Sequence, residues 1–179
     1  MRIRCLLAVA LFALPAATLA QDVEAGEPVC RTGDIAKSLD FWVGEWRVVS
    51  RDETTEYGTN RIERVLDGCA VFEHWRSQRG GEGKSLFYFD AHEQEWTQVW
   101  VTPDTTRPGG LKVKHLVARF GDGGVRFQGS YSSHEGRVVL DRTTLTPEAD
   151  GKVRQLIEVS LDGGESWEMT FDATYVPVE

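Results

Sequence analysis

From residue 41 onward, apolar or aromatic positions alternate with polar ones in short runs cut by Gly, Asp and Pro. A period of two is the spacing of side chains along one face of a strand. The pattern predicts strands over 45–51, 56–66, 70–78, 84–90, 95–102, 111–120, 125–132, 137–146, 152–161 and 166–175. Turn formers separate them, among them Asp67-Gly68, Arg79–Gly83, Pro103–Gly110, Gly121–Gly124 and Asp162–Glu165. Each connection is short, so consecutive strands pair antiparallel. No amphipathic stretch of ~12 residues is left over to cover a parallel sheet. The expected fold class is therefore all-β: an antiparallel up-and-down β-barrel of about ten strands, closed because closure removes exposed edges. A two-sheet sandwich is the alternative. A short helical turn is expected around Asp34–Leu39, with Thr32 or Asp34 able to cap it.

The amino terminus has a different texture. Arg2 and Arg4 precede an apolar run from Cys5 to Leu14, then Pro15 and the small residues Ala16-Ala17-Thr18-Leu19-Ala20. This is the layout of a signal peptide cleaved before Gln21, and the run is short of the ~20 residues that span a bilayer. The expected organisation is a signal over 1–20, a polar leader over 21–33 and a single barrel domain over 34–179. Export to the periplasm or beyond, with no membrane attachment after cleavage, follows as an expectation. Cleavage removes Cys5 and leaves Cys30 and Cys69, an even pair that an oxidising compartment would bridge.

The whole chain carries 20 Lys and Arg against 28 Asp and Glu, a net charge of −8. Such a balance lacks the basic footprint of a nucleic-acid binder, and no nucleic-acid partner is expected. His74, His92, His115 and His134 show no metal-ligand spacing, so neither a metal nor a cofactor is expected. Gly80–Ser85 brushes against a phosphate-binding loop, but Gln78 stands where the first Gly belongs and a strand follows instead of a helix. There is no Gly-x-Ser-x-Gly elbow.

Phe41-Trp42-Val43-Gly44-Glu45-Trp46 resembles the Gly-x-Trp opening of lipocalin-like (calycin) barrels. Further segments add to it: Thr59–Glu63, Leu66–Cys69, Glu73-His74-Trp75, Gly83-Lys84-Ser85, Trp96–Trp100, Val153–Gln155 and Asp162–Trp167. Together they look like an exported bacterial domain-of-unknown-function family, family 1579. The resemblance covers about residues 38–175 and implies a calycin-type barrel, with no established activity to transfer. It further implies that Gly44 permits a tight bend, that Trp46 plugs the closed end, and that a late-strand Arg, either Arg142 or Arg154, packs over that Trp. Haem-binding calycins carry an axial His late in the chain, and no His follows His134.

Candidate site residues come from the inward faces. Trp96, Gln98 and Trp100 share one face of a strand. Val71, Glu73, Trp75 and Ser77 share another, as do Val138, Leu140, Arg142 and Thr144, and Val153, Gln155, Ile157 and Val159. Each face carries one or two polar groups among apolar ones, the composition of a ligand cavity. In this reading Trp75, Trp96 and Trp100 form the walls, Gln98, Gln155 and Arg142 orient a polar end, and Glu73 fixes Arg142. A filled core, with Glu73 and Arg142 paired, is the competing possibility. Ser160–Trp167 fits an Asp box, in which Asp162 holds the turn amides and Trp167 anchors the next strand. Three functions remain open: a binder of a small, mostly apolar ligand with one polar group; an enzyme using Glu73 as acid/base, favoured if Glu73 has a raised pKa and no facing Arg; and an interaction domain with a filled barrel.

Overall fold

The computed structural model describes residues 29–178. The expected signal and cleavage site, and residues 21–28 of the expected leader, lie outside this range. Ten antiparallel strands form one closed barrel in chain order, the first pairing with the last. They are β1 (Gly44–Val49), β2 (Glu56–Val65), β3 (Ala70–Ser77), β4 (Glu82–Asp90) and β5 (Glu95–Val101), followed by β6 (Leu111–Arg119), β7 (Val125–Ser132), β8 (Val138–Pro147), β9 (Val153–Ser160) and β10 (Glu168–Pro177). The period-two pattern and the turn residues thus place every strand within a few residues of its observed bounds. The sandwich alternative is excluded by the β1–β10 pairing, Trp46 opposite Pro177 through Val49 opposite Thr174.

A short helix, α1 (Val29–Thr32), precedes a run of turns that ends in a 3-10 helix at Asp40–Trp42. Hydrogen bonds from Lys37 N to Gly33 O and from Ser38 N to Ile35 O wind this segment into the expected helical turn. It stops one end of the barrel. Ala36, Leu39 and Trp42 are fully buried there. Trp42 meets Phe87 edge-on at 5.5 Å and Tyr175 at 6.0 Å, and Phe87 in turn meets Phe127 at 5.2 Å. Gly44 makes the bend into β1 at φ 151°, a conformation that disfavours a side chain. Trp46 packs on Tyr175 at 6.0 Å and donates from its indole N–H to the Trp42 carbonyl at 2.9 Å.

Neither late-strand Arg covers Trp46. Arg154 forms a two-point pair with Asp172 at 2.7 and 2.8 Å, and Arg142 pairs with Glu158. The Arg that stitches the closed end is Arg64 of β2. It donates to the carbonyls of Gly68 at 2.7 Å and Ala36 at 3.1 Å, pairs with Asp40, and lies 5.9 Å from the Trp96 ring centre. The Arg-over-Trp arrangement is present here with a different Arg and a different Trp.

Cys30 and Cys69 are disulfide-bonded, tying α1 to the β2–β3 connection. Among the described residues, no helix is long and apolar enough to cross a membrane. In the chain-entropy view, opening a loop of this size stabilises the unfolded chain by about 4 kcal/mol. The Cys30→Ser/Cys69→Ser variant should therefore show a denaturation midpoint lowered by that equivalent in urea. Truncating the buried Trp46 to Ala should cost ~3–5 kcal/mol, read from the same transition.

Candidate functional site

The interior divides into two halves. At the end where β1 begins, inward side chains are large and apolar and close against Trp42. At the other end the barrel holds a cavity of about 340 Å³, within the ~300–1,000 Å³ range of ligand pockets. Its apolar wall is Trp75, Trp100, Ile157, Phe171 and Pro108, and the β5–β6 loop, including Arg107, forms its rim. Trp100 has room because β4 places Gly83 beneath it; a Cβ at Gly83 would intrude on the indole ring.

A chain of polar side chains crosses the floor. Gln98 Nε2 donates to Ser85 Oγ at 3.0 Å, and Ser85 donates to Glu73 Oε2 at 2.5 Å. From the other side, Asn60 Nδ2 donates to Glu73 Oε1 at 2.7 Å and to the Tyr175 hydroxyl at 3.2 Å, and that hydroxyl donates to Gln155 Oε1 at 2.9 Å. Two buried oxygens bordering the cavity, Gln98 Oε1 and Thr102 Oγ1, have no hydrogen-bond partner among the described residues. Burial of the Glu73 carboxyl raises its pKa, against the hydrogen bonds from Ser85 and Asn60 and the charge of Lys114.

Across the cavity, Lys112 and Lys114 of β6 both reach Asp141 of β8. Lys114 also donates to Thr143 Oγ1 at 2.7 Å, and Lys112 lies 5.2 Å from the Tyr131 ring centre. Desolvation pushes the Lys114 ammonium down to about 8, with the neighbouring Lys112 charge acting in the same direction and Asp141 opposing.

Of the sequence candidates, Glu73, Trp75, Gln98, Trp100 and Gln155 line this cavity together. Trp96 does not. It shares their face but lies one turn of the pleat deeper, fully buried, packed on Phe89 at 5.3 Å and donating to the Ile35 carbonyl at 2.7 Å. It belongs to the plug, not to the walls. Arg142 does not line the cavity either. The inward face of β8 is Val139, Asp141, Thr143 and Leu145, so Arg142 projects outward, where it binds Glu158 at 2.7 and 2.9 Å and stacks 3.9 Å over the Trp167 ring. Glu73 consequently faces no Arg, and Asn60 and Ser85 occupy the positions given to that residue. Asp162 accepts from Ser166 N at 3.0 Å and Ser166 Oγ at 2.5 Å, and Trp167 donates to Gly164 O at 3.2 Å, a hairpin staple remote from the cavity. Its hydrogen bonds hold the Asp162 carboxyl well below the usual range.

Sequence reasoning missed Lys112, Lys114, Asp141, Ser85, Asn60 and Tyr175. The signal for the lysines was there, since Lys112-Val113-Lys114 alternates in step with the strand.

No family model matches the chain. Over 85 residues, it is 27% identical to "Putative zinc finger CCCH domain-containing protein 57" of Oryza sativa subsp. japonica. The match spans 47% of this chain and 14% of that protein, so the chain covers only a small part of that relative's length. Among the described residues, no group of three or more His, Cys, Asp or Glu is placed to hold a metal ion. Fold and cavity define a closed ten-strand antiparallel barrel, plugged at one end and hollow at the other.

The Glu73 shift has a pH signature. Between the usual 4.5 and its raised native value, the folded state retains a proton that the unfolded chain has lost. Stability should therefore fall as pH rises through that window, and Glu73→Gln, which cannot titrate, should flatten the fall in a series of urea melts.

Proposed function

We propose that this protein is an exported ligand-binding barrel. It takes a compact, mainly aromatic or apolar small molecule bearing one neutral hydrogen-bond donor into the hollow half. The observation that carries this reading is the buried Gln98 Oε1, without a partner among the described residues, at the floor of a cavity of about 340 Å³ in which Trp75, Trp100 and Phe171 face a polar wall. A buried acceptor left without a partner costs ~1–3 kcal/mol, and a ligand hydroxyl or N–H would relieve that cost. The Cys30–Cys69 bridge and the signal-like amino terminus support export.

A second reading has its own support. Glu73 has a raised pKa and no facing Arg, the condition for an acid/base group in a calycin-fold enzyme.

An apolar fluorescent probe carrying a hydroxyl should enter and quench indole emission from Trp75 and Trp100. Gln98→Leu should leave stability within ~1 kcal/mol, because Ser85 keeps Glu73 as its partner, while weakening that probe roughly tenfold relative to its deoxy analogue. Gly83→Ala, by displacing Trp100, should weaken both probes alike. Absence of quenching by either probe in the native protein overturns the reading.

A further inference from the structure

Lys114 is the feature of this cavity that simple binding leaves unused. Its ammonium is buried, yet it borders open space, and among the described residues its only anionic hydrogen-bond partner, Asp141, is shared with Lys112. Lysines become nucleophilic when desolvated or when set beside another cation, and Lys114 meets both conditions. A carbonyl is neutral and polar, and it is also the electrophile that an amine captures.

We propose that Lys114 holds carbonyl ligands covalently, as a reversible protonated Schiff base, and that the ligand class is a hydroxylated aromatic or apolar aldehyde or ketone. The inference rests on reading the hollow half as a ligand site. The Lys114 nitrogen forms the new bond to the carbonyl carbon, and the carbon–oxygen double bond breaks. Two of the three ammonium hydrogens leave with that oxygen as water. One hydrogen and the positive charge remain on nitrogen. No redox partner is needed, and the charge at Nζ is the same before and after, so Asp141 remains its counterion. Asp141 accepts the proton that frees the amine and returns it to the departing hydroxyl, while Thr143 Oγ1 orients the nitrogen. The ligand's own hydroxyl reaches Gln98 Oε1, the acceptor left open on the floor. The charged groups that set the amine's proton affinity are Lys112 on its own strand, Asp141 on β8 and Glu73 on β3. Tyr131 on β7 faces Lys112, and Arg107 stands at the rim.

The test uses the full-length native protein with two probes: a hydroxynaphthaldehyde, and the matching hydroxynaphthyl methanol, which has the same shape but no carbonyl. Each is incubated with protein near pH 7.5 with and without sodium cyanoborohydride, followed by intact mass measurement and peptide mapping. The aldehyde should add once, by its own mass less one oxygen, with the label on Lys114. Because burial lowers the Lys114 ammonium to about 8 and so raises its share of free amine at this pH, labelling should be roughly tenfold to hundredfold faster there than at the exposed Lys37. The alcohol should compete with the label. Lys114→Arg should abolish it, whereas Lys112→Arg should retain it. Should either variant fail to fold, the wild-type map decides alone. Quenching by both probes with no adduct on Lys114, or with label spread evenly over surface lysines, overturns the Schiff base and leaves the ligand site standing. Quenching by neither probe overturns both.

Discussion

Ten strands enclose more space than their own inward side chains can fill, and this constraint organises the molecule. One solution is to import filler. The segment from Ile35 to Trp42 folds under the barrel and pushes Leu39 and Trp42 into the end where the strands begin. Trp46, Phe87, Phe127 and Tyr175 pack around them, and Arg64 and the disulfide hold the segment in place. The plug reaches only about halfway up. Above it the interior must be either hollow or polar, and it is both. The polar floor is the boundary layer between a packed aromatic half and an open one.

Most of the fold was legible because most strands carry period-two alternation and are bounded by turn residues. The inward faces of β3, β5 and β9 were legible for the same reason. β8 was not. Val138, Val139 and Leu140 are consecutive apolar residues, and Thr143-Thr144 repeats one residue type across both faces. Neither parity stands out, and the choice that seats Arg142 inside is as well patterned as the true one. Depth along the barrel axis was also hidden. Trp96 and Trp100 obey the same alternation, but only pairing with β4 reveals that Trp96 lies against Phe89 and Trp100 against Ser85. The inward lysines were passed over because Lys is rarely buried without a partner, and the partner of Lys114 is 27 residues away on a strand whose parity was itself ambiguous.

The Lys112–Asp141–Lys114 cluster is an expensive way to occupy a barrel interior. Desolvating three charges costs several kcal/mol per ion before their mutual attraction returns it, and apolar replacements of similar volume often match or exceed the result. The outer surface carries its ion pairs more cheaply, as Arg142–Glu158 and Arg154–Asp172 show. Stability therefore gives weak grounds for this cluster.

The floor chain has a direction, because its donors converge on Glu73 from both sides. Ser85 points its hydrogen at the carboxylate, which leaves its lone pairs for the Gln98 amide N–H and turns the Gln98 carbonyl toward the hollow. A proton on Glu73 that donated to Ser85 would reverse this relay: Ser85 would offer its hydrogen to Gln98, and the amide would rotate to present N–H instead. The protonation of one carboxyl in the floor thus sets, through two intervening hydrogen bonds, whether the Gln98 amide turns its carbonyl or its N–H toward the hollow.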